Sequence, residues 1–190
     1  MDQMRLKGTP VKIDRPPLTP KQLAAAIAYG SHNSCNRDPS FLRTEMRYFV
    51  KKGLWIVLPL EDEVGLNGLR LSLAGLIPQR DRRDRIFIDY TWSGVNEATC
   101  RLAPDAMQFG HALQQILQRM YDAYPHHGPI YMMKVDIADG FYRVGLAPED
   151  VPSIGVCLPP GPDGKTLVAF PLVLPMGWVE SPPQFCVVAR

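Results

Sequence analysis

Proline is the residue that most limits what this chain can fold into. The sequence holds 19 prolines in 190 residues, about twice the usual share for a globular domain. They are spread along the chain and not collected in one tract, so they end helices and strands and do not mark a disordered segment. With 46% hydrophobic residues the chain can still bury a core. We therefore expect short elements separated by turns.

Capping signals predict where the helices begin. The string Thr19-Pro20-Lys21-Gln22 is a capping box with proline at the first helical position, and the helix that it starts should end at Gly30. A second helix is predicted from Asp38 to Gly53 and the longest one over Asp105–Tyr124, both from apolar residues at helical spacing. The apolar stripe of the longest helix consists of Leu113, Ile116, Leu117 and Met120. A last helix should start at a second capping box, Ser181 to Gln184.

Extended runs of apolar residues predict the strands. Leu69–Ile77 and Arg85–Tyr90 flank the charged turn Gln79–Asp84 and should form a hairpin. Ile130–Val135 is almost continuously apolar, as expected of a central strand buried on both faces. Further strands are predicted at Leu54–Leu58, Tyr142–Leu146, Ser153–Leu158 and Thr166–Leu174. Helices and strands alternate irregularly, and this pattern predicts an α+β fold.

Composition narrows the class of protein. The four cysteines lie far apart, and no Cys/His spacing is typical of structural zinc, so we expect reduced thiols. The first residues have no apolar core and do not resemble a signal peptide, and no apolar run reaches the length of a membrane span. These features predict an intracellular protein of the cytoplasm or nucleus, without membrane contact. A net charge of +2 does not by itself indicate a nucleic-acid binder.

Three short strings carry chemistry, and each also has a structural interpretation. Asp136, at the end of the predicted central strand, is followed by Asp139 and Phe141, which suits a Mg²⁺ site or an ordinary capped turn. The string Leu174–Pro182 places a glycine before a helix start, which suits a phosphate or template contact or a plain loop-to-helix junction. The arginines of Gln79–Arg85 can grip a triphosphate or form a solvated turn.

Taken together and in this order, the three strings resemble motifs of the reverse transcriptases of retroviruses and retrotransposons. Arg85–Thr99 resembles the fingers signature, in which an arginine precedes an apolar-Asp-aromatic strand and an asparagine. Asp136 with Phe141 resembles the first palm motif, and Leu174–Pro182 resembles the family's Leu-Pro-x-Gly-x-x-x-Ser-Pro string. The resemblance covers about Gly53 to Arg190.

The resemblance implies an RNA-directed DNA polymerase of right-hand architecture with an incomplete palm sheet. Composition and capping signals predict a polar, Pro-rich arm at 1–18 and a helical extension at 19–53, and the resemblance implies a fingers-like region at 54–128 and a partial palm at 129–190. The implied reaction is the attack of a primer 3′-hydroxyl on a deoxynucleoside triphosphate with two Mg²⁺ ions. The implied partners are the triphosphate and an RNA or DNA template-primer.

The same resemblance assigns roles to individual residues. Asp136 would be the catalytic carboxylate and would ligate Mg²⁺ together with the backbone carbonyl of Ile137. Phe141 would lie beneath the sugar and exclude a 2′-hydroxyl. The implied nucleotide-binding residues are Arg80, Arg85, Asp139, Gly140, Phe141, Met176 and Gly177. The implied template and primer contacts are Trp178, Ser181 and Pro182.

Two departures from the family pattern keep other interpretations open. Many relatives carry Gln or Phe where this chain has Met176, so the lining of the nucleotide pocket differs. The family's later Tyr-x-Asp-Asp hairpin has no counterpart, since the sequence contains no adjacent pair of aspartates. We therefore expect a truncated polymerase fragment that is inactive alone. The alternatives are a retroelement remnant that at most binds nucleic acid, and a fragment of an RNA-dependent RNA polymerase.

Overall fold

A five-stranded mixed sheet organises the chain. In this computed structural model, residues 7–60, 65–107, 112–133, 136–161 and 163–188 are described. The strands are β1 (Trp55–Pro59), β2 (Leu71–Gln79), β3 (Arg82–Asp89), β4 (Gly155–Leu158) and β5 (Leu167–Pro171). Their order across the sheet is β1-β5-β4-β2-β3, with β2 and β4 parallel and the other neighbours antiparallel. The fold is therefore mixed α+β, as the sequence predicts.

Local capping accounts for the first two helices. The helices are α1 (Pro20–Tyr29), α2 (Pro39–Lys51), α3 (Val95–Ala98), α4 (Ala112–Tyr121) and α5 (Ser181–Val188). Before α1, the Gln22 N–H donates to the Thr19 hydroxyl, and the Thr19 N–H donates back to Gln22 Oε1 at 2.9 Å. Before α2, Asp38 accepts from the Phe41 N–H at 2.8 Å. Both predicted helix starts are confirmed, because each cap lies within a few residues of the groups that it satisfies.

The predicted hairpin forms with a tighter turn than the charge run suggests. Gln79 pairs directly with Arg82, so only Arg80 and Asp81 connect β2 to β3. Asp81, the second of these two residues, has a φ of 57°, a left-handed angle that aspartate tolerates better than most residues. The predicted turn Gln79–Asp84 is therefore too long. The run of charged residues predicted a turn because charged side chains are usually exposed. Exposed arginines such as Arg83 and Arg85 can also lie on a strand at the edge of a sheet, as they do on β3.

The predicted central strand Ile130–Val135 is wrong in its described part. Residues 130–133 lie outside every strand, and the side chains of Tyr131 and Met133 are each 88% exposed. Positions 134 and 135 lie outside the described residues. An apolar run becomes a buried strand only where neighbouring strands offer hydrogen-bond partners on its edges. The sheet of this chain is assembled from β1 to β5, and none of them pairs with 130–133.

Three other predicted elements also need correction. The helix predicted at Asp105–Tyr124 starts later: Pro104–Ala106 is a 3-10 turn, and α4 ends at Tyr121. The apolar stripe of α4 remains exposed, with Leu113 at 70%. The predicted strand Tyr142–Leu146 is a 3-10 turn over Gly140–Arg143 followed by isolated bridges. At Ser181 the predicted capping box does not form, because its hydroxyl donates to the Pro175 carbonyl and the Gln184 N–H bonds the Glu180 carbonyl.

The described part of the predicted arm packs along the domain. Thr9 is fully buried and exchanges backbone hydrogen bonds of 2.8 Å with Gly145 and Ala147. The Val11 N–H donates to the Asp150 carboxylate at 2.8 Å. Strands from the predicted fingers-like region and from the predicted partial palm share the one sheet. The division into four segments stays a prediction.

Candidate functional site

A cavity brings together most of the residues that the sequence motifs single out. Its volume is about 500 Å³. It is lined by Arg85, Asp136, Ile137, Ala138, Asp139, Gly140, Phe141, Tyr142, Met176 and Phe185. These residues come from β3, from the turn after the 130–133 segment, from the loop before α5 and from α5 itself. Three strings that are distant in sequence therefore meet at one place.

The turn that contains the two aspartates is built by local hydrogen bonds. Asp139 has a left-handed backbone with φ 54° and ψ 35°, and its carbonyl accepts from the Tyr142 N–H at 2.9 Å. Arg143 Nε donates to the Ala138 carbonyl at 3.2 Å and closes the turn on the other side. Asp136, Ile137 and Asp139 are exposed. Both carboxylates are therefore open to a ligand.

Two phenylalanines form one wall of the cavity. The rings of Phe141 and Phe185 lie 5.6 Å apart with an interplanar angle of 70°. A side chain at Gly140 would meet the Phe185 ring, since a Cβ there would come within 2.9 Å of it. Phe185 was missed by the sequence motifs. The capping box that predicts α5 places it only on a helix, without indicating which face.

Tyr142 is close enough to Asp139 and Arg85 to feel the charge of both. Its ring packs edge-on against Phe49 of α2, with the centroids 5.5 Å apart. Burial raises the pKa of Tyr142, the nearby Asp139 carboxylate raises it further, and Arg85 opposes the rise. The phenol is therefore neutral at physiological pH and can donate a hydrogen bond.

The arginines of the hairpin lie in different surroundings. Arg85 lines the cavity. Arg83 pairs instead with Glu45 of α2, and its guanidinium lies over the Phe41 ring at 5.9 Å from the centroid. Arg80 is 98% exposed at the turn, where it forms an ion pair with Asp81 at 3.9 Å. The structure brings Arg85 to the other predicted nucleotide-binding residues but does not bring Arg80 there.

The loop before α5 is fixed to α3 by the side chain of Asn96. The Asn96 side chain donates to the Gly177 carbonyl at 2.9 Å, and its oxygen accepts from the Val179 N–H at 2.9 Å. Gly177 has a φ of 100°, and a Cβ there would lie 2.3 Å from the Ile88 carbonyl oxygen. These contacts place Met176 at the cavity and leave Gly177 beside it.

The residues after Gly177 face inward. Trp178 is 1% exposed, and its indole N–H donates to the Thr99 hydroxyl at 3.0 Å. Ser181 is fully buried and Pro182 is half-buried. The template and primer contacts predicted for these three residues stay a prediction. Because Trp178 and Ser181 are buried, they can contribute to such contacts only by shaping the loop.

Glu180 is a buried acid that the sequence motifs did not single out. It is fully buried, and its Oε2 accepts from the Leu102 N–H at 3.2 Å and from the Gln184 amide at 3.0 Å. Arg101 lies 3.8 Å from its other oxygen. Glu180 therefore joins α5 to the segment after α3. Gln184 is one helical turn away, but Leu102 and Arg101 come from a distant part of the chain, and no local pattern could have indicated them.

The described donors at the cavity are too few for a two-metal centre. Within the described ranges, no group of three or more His, Cys, Asp or Glu residues could hold a metal ion. Asp136 and Asp139 are the two acidic residues among those that line the cavity. Mg²⁺ usually binds one or two carboxylates together with substrate phosphates. The described residues can therefore contribute ligands to a shared ion but do not supply the ligands for two ions.

Comparison with known proteins leaves the family open. No protein-family model matches the chain, and no curated protein matches it either. The resemblance to reverse transcriptases therefore stays a prediction based on the three motifs. None of the helices within the described ranges combines the length and apolar character needed to cross a lipid bilayer.

Proposed function

We propose that this chain supplies the fingers and part of the palm of an RNA-directed DNA polymerase, and that the cavity is part of its nucleotide site. The observation that carries the proposal is the convergence of Arg85, Asp136, Phe141 and Met176 on one cavity of about 500 Å³. Its volume lies within the range typical of small-ligand pockets. The lining combines a cation, a carboxylate and an aromatic ring, which a nucleoside triphosphate with its Mg²⁺ can each engage.

The chemistry of the lining fits the parts of a nucleotide. Arg85 and the neutral Tyr142 phenol would contact phosphate oxygens, because a guanidinium forms strong bidentate hydrogen bonds with them. The rings of Phe141 and Phe185 would face the sugar, where the bulk of Phe141 disfavours a 2′-hydroxyl. Asp136, with Asp139 nearby, would contribute oxygen ligands to the Mg²⁺ that accompanies the triphosphate. That ion would neutralise phosphate charge when bound.

The proposal predicts specific binding of deoxynucleotide at Arg85. Replacing Arg85 by alanine should weaken the binding of dATP with Mg²⁺ by about tenfold or more, since a charged hydrogen bond contributes roughly 1.5–3 kcal/mol. Equilibrium dialysis with labelled dATP measures the change. The matched control is Arg80→Ala, which removes the same charge from the exposed turn and should change affinity by less than about twofold. Equal losses in the two variants would indicate unspecific attraction and refute the assignment.

The proposal also predicts that the isolated chain does not extend a primer. The reaction needs a cluster of carboxylates for two metal ions, and the described donors do not provide it. A labelled primer on an RNA or DNA template, incubated with the chain, all four dNTPs and Mg²⁺, should remain unextended. Template-dependent incorporation that disappears in the Asp136→Asn variant would show that the chain holds a complete catalytic site, contrary to this expectation.

A further inference from the structure

A second, larger cavity lies away from the nucleotide site. It is a groove of about 730 Å³ between α2 and the β1-β5-β4 side of the sheet, and it shares no lining residue with the first cavity. Leu42 and Met46 of α2 form its buried floor. Val50 is 46% exposed beside them, and Leu167 of β5 is half-buried. The groove therefore offers a continuous aliphatic surface to a partner.

A row of cations runs along one wall of the groove. Arg43, Arg47 and Lys51 follow one another at intervals of four residues on α2, and all three are exposed. One helical turn separates each from the next, so their positions are about 6 Å apart along the axis. Among the residues that the structure describes, none of the three forms an ion pair within 4.0 Å. Asp38 is close enough to Arg43 to feel its charge but is engaged in capping α2.

The lining of the groove favours one class of partner. None of its lining residues carries a carboxylate, so the positive row is not neutralised within the groove. None of them is aromatic either. Sites for single-stranded nucleic acid usually combine cations with aromatic rings on which bases stack, and this aliphatic floor lacks such rings. An amphipathic helix matches both features, because its apolar face fills an aliphatic groove and its acidic edge meets cations at helical spacing.

We propose that this groove binds an acidic amphipathic helix of a partner protein. The helix lies along α2 with its aliphatic face on Leu42, Met46 and Val50. Its carboxylates, spaced one turn apart, face Arg43, Arg47 and Lys51. The repeat of the cations then sets the register of the partner, as charged flanking positions do in paired helices. The inference does not depend on the proposed polymerase function.

A synthetic peptide tests the proposal with the whole chain. The probe is a fluorescent amphipathic peptide of roughly 15 residues, about four helical turns, with leucines on one face and glutamates along its edge. We expect saturable binding by fluorescence anisotropy that weakens as salt is raised. The combined variant Arg43→Glu, Arg47→Glu, Lys51→Glu should lower affinity by about tenfold or more, because three attractions become repulsions. A peptide with lysines in place of the glutamates should not bind the parent chain.

Matched variants separate the groove from overall charge and from misfolding. The combined variant Lys12→Glu, Lys21→Glu, Arg119→Glu changes the net charge equally at exposed positions outside the groove and should bind within about twofold of the parent. Val50→Ser removes apolar contact at a half-exposed position and should lower affinity by about threefold without unfolding the chain. The proposal is refuted if the peptide does not bind, or if both charge variants lose affinity equally. It is also refuted if single-stranded DNA, and not the peptide, binds in a way that the groove variant abolishes.

Discussion

Replacing Gly177 by alanine is expected to lower the free energy of unfolding by about 3 kcal/mol. Two separate costs add at this position. The backbone φ of 100° lies in a region that side chains disfavour, and a Cβ would lie 2.3 Å from the Ile88 carbonyl oxygen. Backbone at the end of β3 cannot move aside without disturbing the hairpin. Urea unfolding followed by tryptophan fluorescence measures the change.

The chain offers a matched control for this prediction. Gly53 also has a positive φ, of 66°, but a Cβ there would meet nothing within 4 Å. Gly53→Ala should therefore show the backbone cost alone, about 1 kcal/mol. If the two variants lose equal stability, the loop does not approach Ile88 as described. The cavity lined by Arg85 and Asp136 would then lack the support that places Met176 at it.

Replacing Trp178 by alanine is expected to cost about 4 kcal/mol of stability. The ring is among the largest fully buried side chains, at 1% exposure, and its N–H is satisfied by the Thr99 hydroxyl at 3.0 Å. Truncation removes the apolar contacts and leaves a void between the loop before α5 and the segment after α3. Because this loop carries Met176, binding of dATP should weaken as well. Denaturant unfolding and equilibrium dialysis measure the two effects.

Trp92 provides the comparison for this substitution. It is 43% exposed and packs on Tyr29 with the ring centroids 4.8 Å apart. Trp92→Ala removes the same number of atoms but should cost only about 1 kcal/mol, since much less of this side chain is removed from solvent on folding. A loss at Trp178 no larger than the loss at Trp92 would contradict the burial of the indole. Trp178→Phe would then separate the hydrogen bond from the packing.

The sequence predicted those parts of the fold that depend on neighbouring residues. The caps at Thr19 and Asp38 bond groups only three residues away, so α1 and α2 could be located from sequence. The hairpin followed from two extended runs around a charged turn. The strand prediction failed at residues 130–133, because an apolar run shows only that burial of its side chains is favourable. Whether a strand forms depends on partner strands that local patterns do not reveal.

The candidate site could likewise be predicted only in part from the sequence. The resemblance to reverse transcriptases implied that Arg85, Asp136 and Met176 share one site, and all three line the same cavity. Motifs did not predict which side chains turn inward. Trp178 and Ser181 are buried, and Glu180 accepts a hydrogen bond from the Leu102 N–H, through contacts that only the tertiary fold creates. Arginines that look equivalent in sequence also differ, since Arg83 pairs with Glu45 whereas Arg85 faces the cavity.

The pairing of β1 with β5 has a consequence for how the chain folds during synthesis. Trp55 is in register with Pro171, whereas β2 pairs with the strand that follows it directly. The hairpin can therefore form as soon as Asp89 leaves the ribosome. At synthesis rates of roughly 5–20 residues per second, β5 is synthesised on the order of ten seconds after β1. During that interval its apolar side chains lack their partner, and chaperones that recognise extended apolar segments would bind the nascent chain at Trp55–Pro59.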